Sequence, residues 1–401
     1  MDTKTNPSWI QKLNQLWLRI PPAWRWCLGW FLALRIGLSL WGALIWSMDL
    51  IPPGPNIDFD FYFGLEPIRQ GWQGAWLGVW QRWDTIHYLR LVEYGYFPGE
   101  VSAFFPLYPL LSRGLSQFFG LNGLFVLMLV SNVTFLLALV QFYHLVEERF
   151  GNRIARYSVG AAVLFPGSLF FFAGYAEPLA LLLVLLAIRT ARQGRWLACA
   201  SAGFAAGLTL PTTLLMTPAL AWLAWKQRRD GSWFAGLARL AAAATPALGI
   251  VLFLSWRELQ GYMPYSQLQY EWWGWHYVNP VESIKLLPLL IPSTFFLQIG
   301  WANVVAVILV LAAIVWGYKA LSTESYLYTL GLTGLLLLMR KDEEPFSSWA
   351  RHAIMVYPLF IALGVWFQKL NHKWIRILVF ATTLSMLLYV AGYYIMWGWT
   401  G

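Results

Sequence analysis

Charged side chains are scarce in this sequence: 28 bases and 19 acids over 401 residues, 12% of the chain. Soluble domains carry about a quarter, and a water-facing surface cannot be assembled from so few. The scarcity excludes a soluble multidomain protein, which length alone would allow. Cysteine is nearly absent. The two that occur, Cys27 and Cys199, both lie in apolar runs, so neither is a disulfide, metal or catalytic candidate. Also missing are a Gly-rich phosphate loop, a paired-His zinc motif and a nucleophile elbow. ATP-driven transport and cytosolic nucleotide-sugar chemistry lose support with them. No internal repeat is visible, which counts against transporters built from two symmetric halves.

What is present is apolar. Hydrophobic residues make up 59% of the chain, and the mean hydropathy is +0.54. Twenty-six Trp and 19 Tyr suit interfacial aromatic belts. The expected fold class is therefore an all-α polytopic membrane protein, one integral-membrane domain over residues 1–401. Apolar windows fall at about 24–48, 121–144, 157–174, 176–192, 197–210, 211–226, 236–256, 294–317, 326–340, 353–369 and 375–397. That is about 11 transmembrane helices, some shorter than the ~20 residues a lone span needs. Pro166, Pro178, Pro211 and Pro218 point to broken helices, tolerable where neighbours satisfy the backbone. The first 23 residues show no cleavage site after an apolar run, so the first window reads as a retained signal anchor.

Basic residues orient the bundle. With residues 1–23 in the cytoplasm, 18 Lys and Arg fall in inner segments and nine in outer ones, with Arg35 inside the first window. Acids run the other way, 14 outside and five inside. The net charge of +9 is thus mostly positive charge at the inner leaflet, and no nucleic-acid partner is implied. Three outer segments exceed mere connectors: 49–120, 257–293 and 340–352. The first is expected to be the catalytic loop.

That loop holds two acidic clusters. NIDFDFYFG contains Asp58 and Asp60, a bare D-x-D pattern and the weak candidate for a metal. QRWDTIHYLRLVEYGYF spaces Asp84, His87, Tyr88 and Leu91 along one helical face. Trp83 and Tyr88 would let such a helix lie in the headgroup region, apolar side down. Asp84, within reach of His87 and Arg82, is then a candidate general base; the alternative is an interfacial helix with ordinary solvated charges. In SAFFPLYPLLSRGL two prolines three apart cannot continue a plain helix, so a re-entrant or packed turn is expected. Glu177 opens an apolar run, either as a favourable N-terminal charge or as a cavity-lining acid. Gln269 and Trp272 in YSQLQYEWWGW combine polar groups with flat faces, a mixture that suits sugars and lipid headgroups alike. Arg340, Lys341, Arg351 and His352 persist on the side where bases are scarce, which suggests an anionic partner such as a phosphate. Asp342, Glu343 and Glu344 offer the first two of them an alternative pairing.

RWDTIHYLRLVEYGYF followed by AFFPLYPLL resembles the first luminal loop of the GPI mannosyltransferase II family and its bacterial relatives. FFFAGYAEPLALLL is similar to that family's second motif, with Ala176 for Ser. SQLQYEWW resembles a Gln-containing outer loop, and SSWARHAIMVYPLFIALG the late Arg-Tyr segment, with His352 for Tyr. The resemblance runs from about residue 30 onward. One departure stands out: LTLPTTLL places Leu210 where the family has an Arg.

The resemblance implies a membrane glycosyltransferase of the GT-C superfamily, a hexosyltransferase whose expected sugar is mannose. Its donor would be a polyprenyl-phosphate or dolichyl-phosphate sugar, and its acceptor lipid-linked or membrane-proximal. Transfer would invert the anomeric centre on the outer or luminal face of the bacterial plasma membrane, or of the ER membrane in a eukaryote. Asp84 becomes the base, positioned by Trp83 and Arg82. Arg351, Arg82, Lys341 and His352 fall to the donor phosphate; Trp83, His87, Tyr88, Glu177, Gln269 and Trp272 line the acceptor cavity. No cofactor is required and no protein partner is implied. The rival reading is a transporter or lipid flippase with outer gating loops, which should carry ionisable residues near mid-membrane. Here the windows are nearly free of them.

Overall fold

The structure is a computed structural model that describes residues 17–52, 60–228, 232–279, 281–282, 284–285, 288, 299–341 and 346–398. It is overwhelmingly helical. The helices used below are α1 (Pro22–Ser47), α2 (Asp84–Tyr94), α3 (Leu107–Phe119), α4 (Gly123–Leu164), α5 (Glu177–Arg192), α6 (Trp196–Gly207) and α7 (Thr217–Lys226). After them come α8 (Trp233–Ala243), α9 (Thr245–Leu259), α10 (Tyr265–Trp273), α11 (Gly300–Ala320), α12 (Thr323–Leu338), α13 (Trp349–Ala353), α14 (Tyr357–Lys369) and α15 (Lys373–Ile395). The described strands are β1 (His276–Tyr277) and β2 (Met339–Arg340), antiparallel with His276 opposite Arg340. They tie the segment after α10 to the end of α12.

Among the described residues, α1, α4, α11 and α15 are long and apolar enough to cross a membrane. Two bent pairs bring the number to as many as six: Pro166–Phe172 with α5, bent by 95°, and α8 with α9, bent by 48°. The protein is a multi-pass membrane protein on that pattern. The window at 236–256, expected as one helix, is thus two, with Pro246 in the first turn of the second. A proline there loses no intrahelical hydrogen bond.

Helix α4 is not one continuous rod. It breaks at Gly151, whose φ of 79° and ψ of 166° lie where only glycine is unstrained. On either side the chain pairs with itself: Asn152 Nδ2 donates to Tyr143 Oη at 2.5 Å, and Asn132 Nδ2 donates to the Phe172 carbonyl at 3.2 Å. These pairs converge on Gly151 from both directions, so the chain doubles back there. Two antiparallel legs result, and the bases Arg149, Arg153 and Arg156 gather at the reversal.

Two expectations about the first loop are corrected. Helix α2 does not lie on a surface with one apolar side down. Asp84, Thr85, Ile86, Tyr88, Leu89, Leu91 and Val92 are all buried, because α3, α4 and the chain end at 394–398 close around it. The two prolines after it do not prevent a helix either. Pro106 precedes α3 and Pro109 sits in its first turn, where the missing N–H is one of the orphans of a helix start. Arg35, inside α1, is satisfied locally: Nη1 donates to the Phe172 carbonyl at 2.8 Å, and the guanidinium lies 4.9 Å from the Trp80 ring.

Candidate functional site

Two helices begin on an acid and aim it at the same base. Asp84 opens α2 and Glu177 opens α5, where the first turn's free N–H groups favour negative charge. Between them stands Arg351 in α13. Its Nη1 lies 2.7 Å from Asp84 Oδ2 and its Nε 2.5 Å from Glu177 Oε1. Asp84 is 7% exposed and Glu177 3%. The guanidinium also sits 4.7 Å from the Tyr175 ring and 5.4 Å from the Phe170 ring. Burial works against the Arg351 charge, but the two carboxylates outweigh it and raise its pKa well above the usual guanidinium value.

The positions of all three depend on close backbone approaches. A β-carbon on Gly167 would come within 2.1 Å of the Ala350 carbonyl oxygen, and one on Gly174 within 2.8 Å of Thr85 Cγ2. Glycine at these two places lets the turns before α5 press against α13 and against the start of α2. The α13 backbone is held from the other side by Asn303, whose Oδ1 accepts from the Ala350 N–H at 2.9 Å.

Arg82 and Trp83 fix the direction of Asp84. Arg82 Nε donates to the Ile395 carbonyl at 2.9 Å, and its Nη1 to the Gly78 and Gln81 carbonyls. Its guanidinium rests 4.6 Å from the Trp397 ring. Trp83 Nε1 donates to the Gly398 carbonyl at 3.1 Å, and Tyr394 Oη donates to the Arg82 carbonyl at 3.0 Å. Trp83 itself has φ 50° and ψ −128°, a region costly for an aromatic residue. The anchors on the chain end hold it there, and the sharp turn delivers Asp84 into the site. Arg82 was expected at the donor phosphate; its Nε and Nη1 are instead given to backbone carbonyls and the Tyr62 hydroxyl, and it lines neither cavity described next.

Two cavities meet at Asp84. The first, about 160 Å³, is lined by Tyr88, Glu177, Gln269, Arg351 and His352 together with Tyr265, Trp275, Leu210 and Thr212. The second, about 350 Å³, has Phe61, Phe63, Trp83, Trp272 and Trp397 as its walls, with His87, Glu100 and Lys341. Asp84 and Trp273 line both. Of the candidates read from the sequence, Trp83, Asp84, His87, Tyr88, Glu177, Gln269, Trp272, Lys341, Arg351 and His352 each line one or the other, whereas Arg82 and Asp60 line neither.

Both histidines there are held below the usual imidazole value. Burial, then the nearby Arg351 and Lys341 charges, push His352 down to about 3. Burial also lowers His87, outweighing Asp84 and Glu100. Its Nδ1 is 3.7 Å from Glu100 Oε1 and its ring stacks on Phe104. Glu100, 5% exposed, also pairs with Arg90. Sequence reading missed Glu100, Phe61, Phe63, Tyr265 and Trp397. Tyr265 was in a segment already singled out, but no local pattern marks Trp397. Asp58 lies outside the described residues. Asp60 accepts from the Tyr62 and Gly64 amides at 2.9 and 2.7 Å, the task of a turn residue. Among the described residues no three His, Cys, Asp or Glu side chains gather as a metal would need.

Residues 66–222 match the family model described as mannosyltransferase (PIG-V). The stretch that carries both carboxylates resembles that family. Arg351 lies outside the matched stretch, and Leu210 inside it. A comparison with curated proteins finds no match. Among solved structures, the Archaeoglobus fulgidus oligosaccharyltransferase tethered with an acceptor peptide is similar at 14% identity and a TM-score of 0.43. The alignment covers 93% of this chain and 56% of that one, so this chain spans about half the length of the oligosaccharyltransferase. ArnT from Cupriavidus metallidurans, bound to undecaprenyl phosphate, is similar at 13% identity and a TM-score of 0.49, over 92% of this chain and 76% of that one.

Proposed function

We propose that this protein is a membrane glycosyltransferase that moves a hexose, mannose, from a polyprenyl phosphate to a membrane-proximal acceptor hydroxyl. The observation that carries the reading is Asp84 on the wall shared by two cavities, one holding a buried guanidinium and the other walled by aromatics. Donor phosphate belongs with Arg351, the acceptor sugar or headgroup with the Trp and Phe faces. Asp84 Oδ2 is held by Arg351, which leaves Oδ1 to take the proton. In the transfer the acceptor oxygen attacks the anomeric carbon from the face opposite the phosphate. A new C–O bond forms, the old C–O bond breaks with its electron pair leaving on the phosphate oxygen, and the hydroxyl proton passes to Asp84. The anomeric centre inverts. A positioned base of this kind contributes ~10²–10⁴-fold.

Arg351 spends two of its nitrogens on carboxylates, and a guanidinium offers three, so one Nη remains for the phosphate. Neutral His352 and Gln269 add further hydrogen-bonding capacity in the same cavity. The threading that suits this chemistry is the eleven-window one, N-terminus inside and the Asp84 cavities opening outward. The flippase reading is disfavoured because Asp84, Glu177 and Arg351 gather at one end of the bundle rather than along its length, and Arg35, inside the first window, gives Nη1 to a backbone carbonyl. The test is incubation of the purified protein with polyprenyl-phosphate mannose and candidate acceptor lipids, read by mass spectrometry. Mannosylated acceptor and released polyprenyl phosphate are expected. Translocation of the donor between leaflets of a vesicle, with no product formed, would overturn the assignment.

A further inference from the structure

At its far end α5 enters a third cavity, the largest of the three at about 900 Å³. Glu177 is the first residue of α5 and Arg192 the last. Their separation is about 22 Å at 1.5 Å per residue, so this cavity opens at the opposite end of the bundle from Asp84. Under the proposed threading that end meets the inner leaflet.

Its charges do not cancel. Glu324, 6% exposed, is taken by Arg192, whose Nε and Nη2 approach Oε1 at 2.8 and 2.7 Å. Glu148 is taken by Arg189, Nε to Oε1 at 3.3 Å. Both acids are thus neutralised by bases of α5. Two further bases line the cavity without an acid: Arg149 gives Nη2 to the Ala320 carbonyl at 2.9 Å, and Lys226 is exposed at the end of α7. Among the described residues neither Arg149 nor Lys226 has a carboxylate in pairing distance. The Ser322 and Thr323 hydroxyls and the Gln227 amide complete a polar lining. The rim is of another character. Trp222, which lines the cavity, is 38% exposed, and Trp225 one turn on is 55% exposed, as indoles at a membrane–water boundary are.

We propose that this cavity binds the phosphate of an anionic membrane lipid headgroup. Two unneutralised bases and the Thr323 hydroxyl face the phosphate, while the exposed indoles lie beside its acyl chains. Basic pockets between membrane helices on the cytoplasmic side suit such headgroups, and a guanidinium accepts a phosphate in bidentate fashion. The site rests on the proposed threading for its leaflet, not on the transfer reaction. Its occupant would steady the Gly151 reversal and the start of α12 against each other.

The test is lipid binding to the full chain in phosphatidylcholine nanodiscs, titrated with phosphatidylglycerol and, separately, with inorganic phosphate, and read by native mass spectrometry and melting temperature. Each base near such a headgroup is worth enough that Arg149→Gln with Lys226→Gln should weaken phosphatidylglycerol binding on the order of 30-fold. Lys226→Glu alone, at an exposed side chain, should weaken it without affecting the fold. Lys369→Gln with Lys373→Gln, bases of the same end outside the cavity, should change nothing. Asp84→Asn, inactive in transfer, should bind as wild type does, which separates this proposal from the catalytic one. Equal loss in the Lys369/Lys373 pair, undiminished binding in the Arg149/Lys226 pair, or stabilisation by inorganic phosphate matching that by the lipid would each overturn it.

Discussion

Substitutions in the Asp84–Arg351–Glu177 cluster should have effects of opposite sign, and the reason is its charge. Two carboxylates share one guanidinium, all three groups are nearly buried, and the cluster carries a formal charge of −1. Arg351→Ala removes both attractions and leaves two carboxylates on facing helix starts with no cation between them. Breaking one buried pair in this way costs ~3–5 kcal/mol, and here the like charges add repulsion. Asp84→Asn does the reverse. It leaves a neutral one-to-one pair between Arg351 and Glu177, removes the repulsion and keeps the shape, so stability should stay within about 1 kcal/mol of wild type or rise. Transfer, however, should fall by ~10²–10⁴-fold, because the base is gone. Glu177→Gln should be equally benign for folding, and combined with Arg351→Met should recover part of the stability that Arg351→Ala loses. The assay is unfolding in detergent micelles beside mannosyl transfer for each variant. The reasoning fails if Arg351→Ala melts with wild type, or if Asp84→Asn is as unstable as Arg351→Ala. Full turnover in Asp84→Asn with none in Glu177→Gln would move the base to Glu177.

Three further outcomes are expected. Single cysteines at Tyr94 and Gln193, both exposed positions, should label from opposite sides of an intact membrane, Tyr94→Cys from outside; the native cysteines are buried and should stay silent, and labelling of both from one side would refute the threading. His352 is held at about 3 against ~6.5 unfolded, a depressed histidine. Above pH 6.5 it contributes nothing to the pH dependence. As pH falls from 6.5 toward 3 the unfolded chain takes up a proton that the folded one refuses, and stability drops by about 1.4 kcal/mol per pH unit. His352→Gln should flatten the unfolding curve in that window, and parallel curves for variant and wild type would contradict the assignment. Gly167→Ala puts a methyl 2.1 Å from the Ala350 carbonyl oxygen, so α13 must shift and Arg351 with it; transfer should drop at least tenfold, whereas wild-type kinetics would show that α13 tolerates the displacement.

What could be read from the sequence is what neighbouring residues decide. An apolar window forms a helix wherever it ends up, and an acid such as Glu177 at the head of one is visible without knowing what it faces. Arg351 was visible for a different reason, as a base kept on the side where bases are scarce. Arg82 was misjudged because its partner, the Ile395 carbonyl, is 313 residues away, and nothing near position 82 distinguishes a guanidinium committed to backbone from one waiting for a phosphate. The burial of α2 was hidden in the same way. Its pattern of aromatic and apolar positions suits a membrane surface equally well, and what covers it is the chain end at 394–398.

The departure at position 210 acquires a physical meaning only from the three-dimensional arrangement. Leu210 lines the same cavity as Arg351, Asp84 and Glu177. A base at that position, as the resembled family has, would neutralise the cluster; with leucine the cluster remains one positive charge short of neutrality. Under the proposed function an incoming phosphate would therefore meet a guanidinium already drawn toward two carboxylates, and His352, its pKa lowered to about 3, would add no charge to help. Under the proposed function the phosphate would take the Nη that neither carboxylate holds, and would share the guanidinium's charge with both. On that proposal the Asp84–Arg351 contact would loosen when the phosphate binds, and the carboxylate would become a stronger base while its substrate is present. Such a coupling needs the two carboxylates to share the one cation of their own cavity, which is the arrangement that leucine at 210 leaves behind.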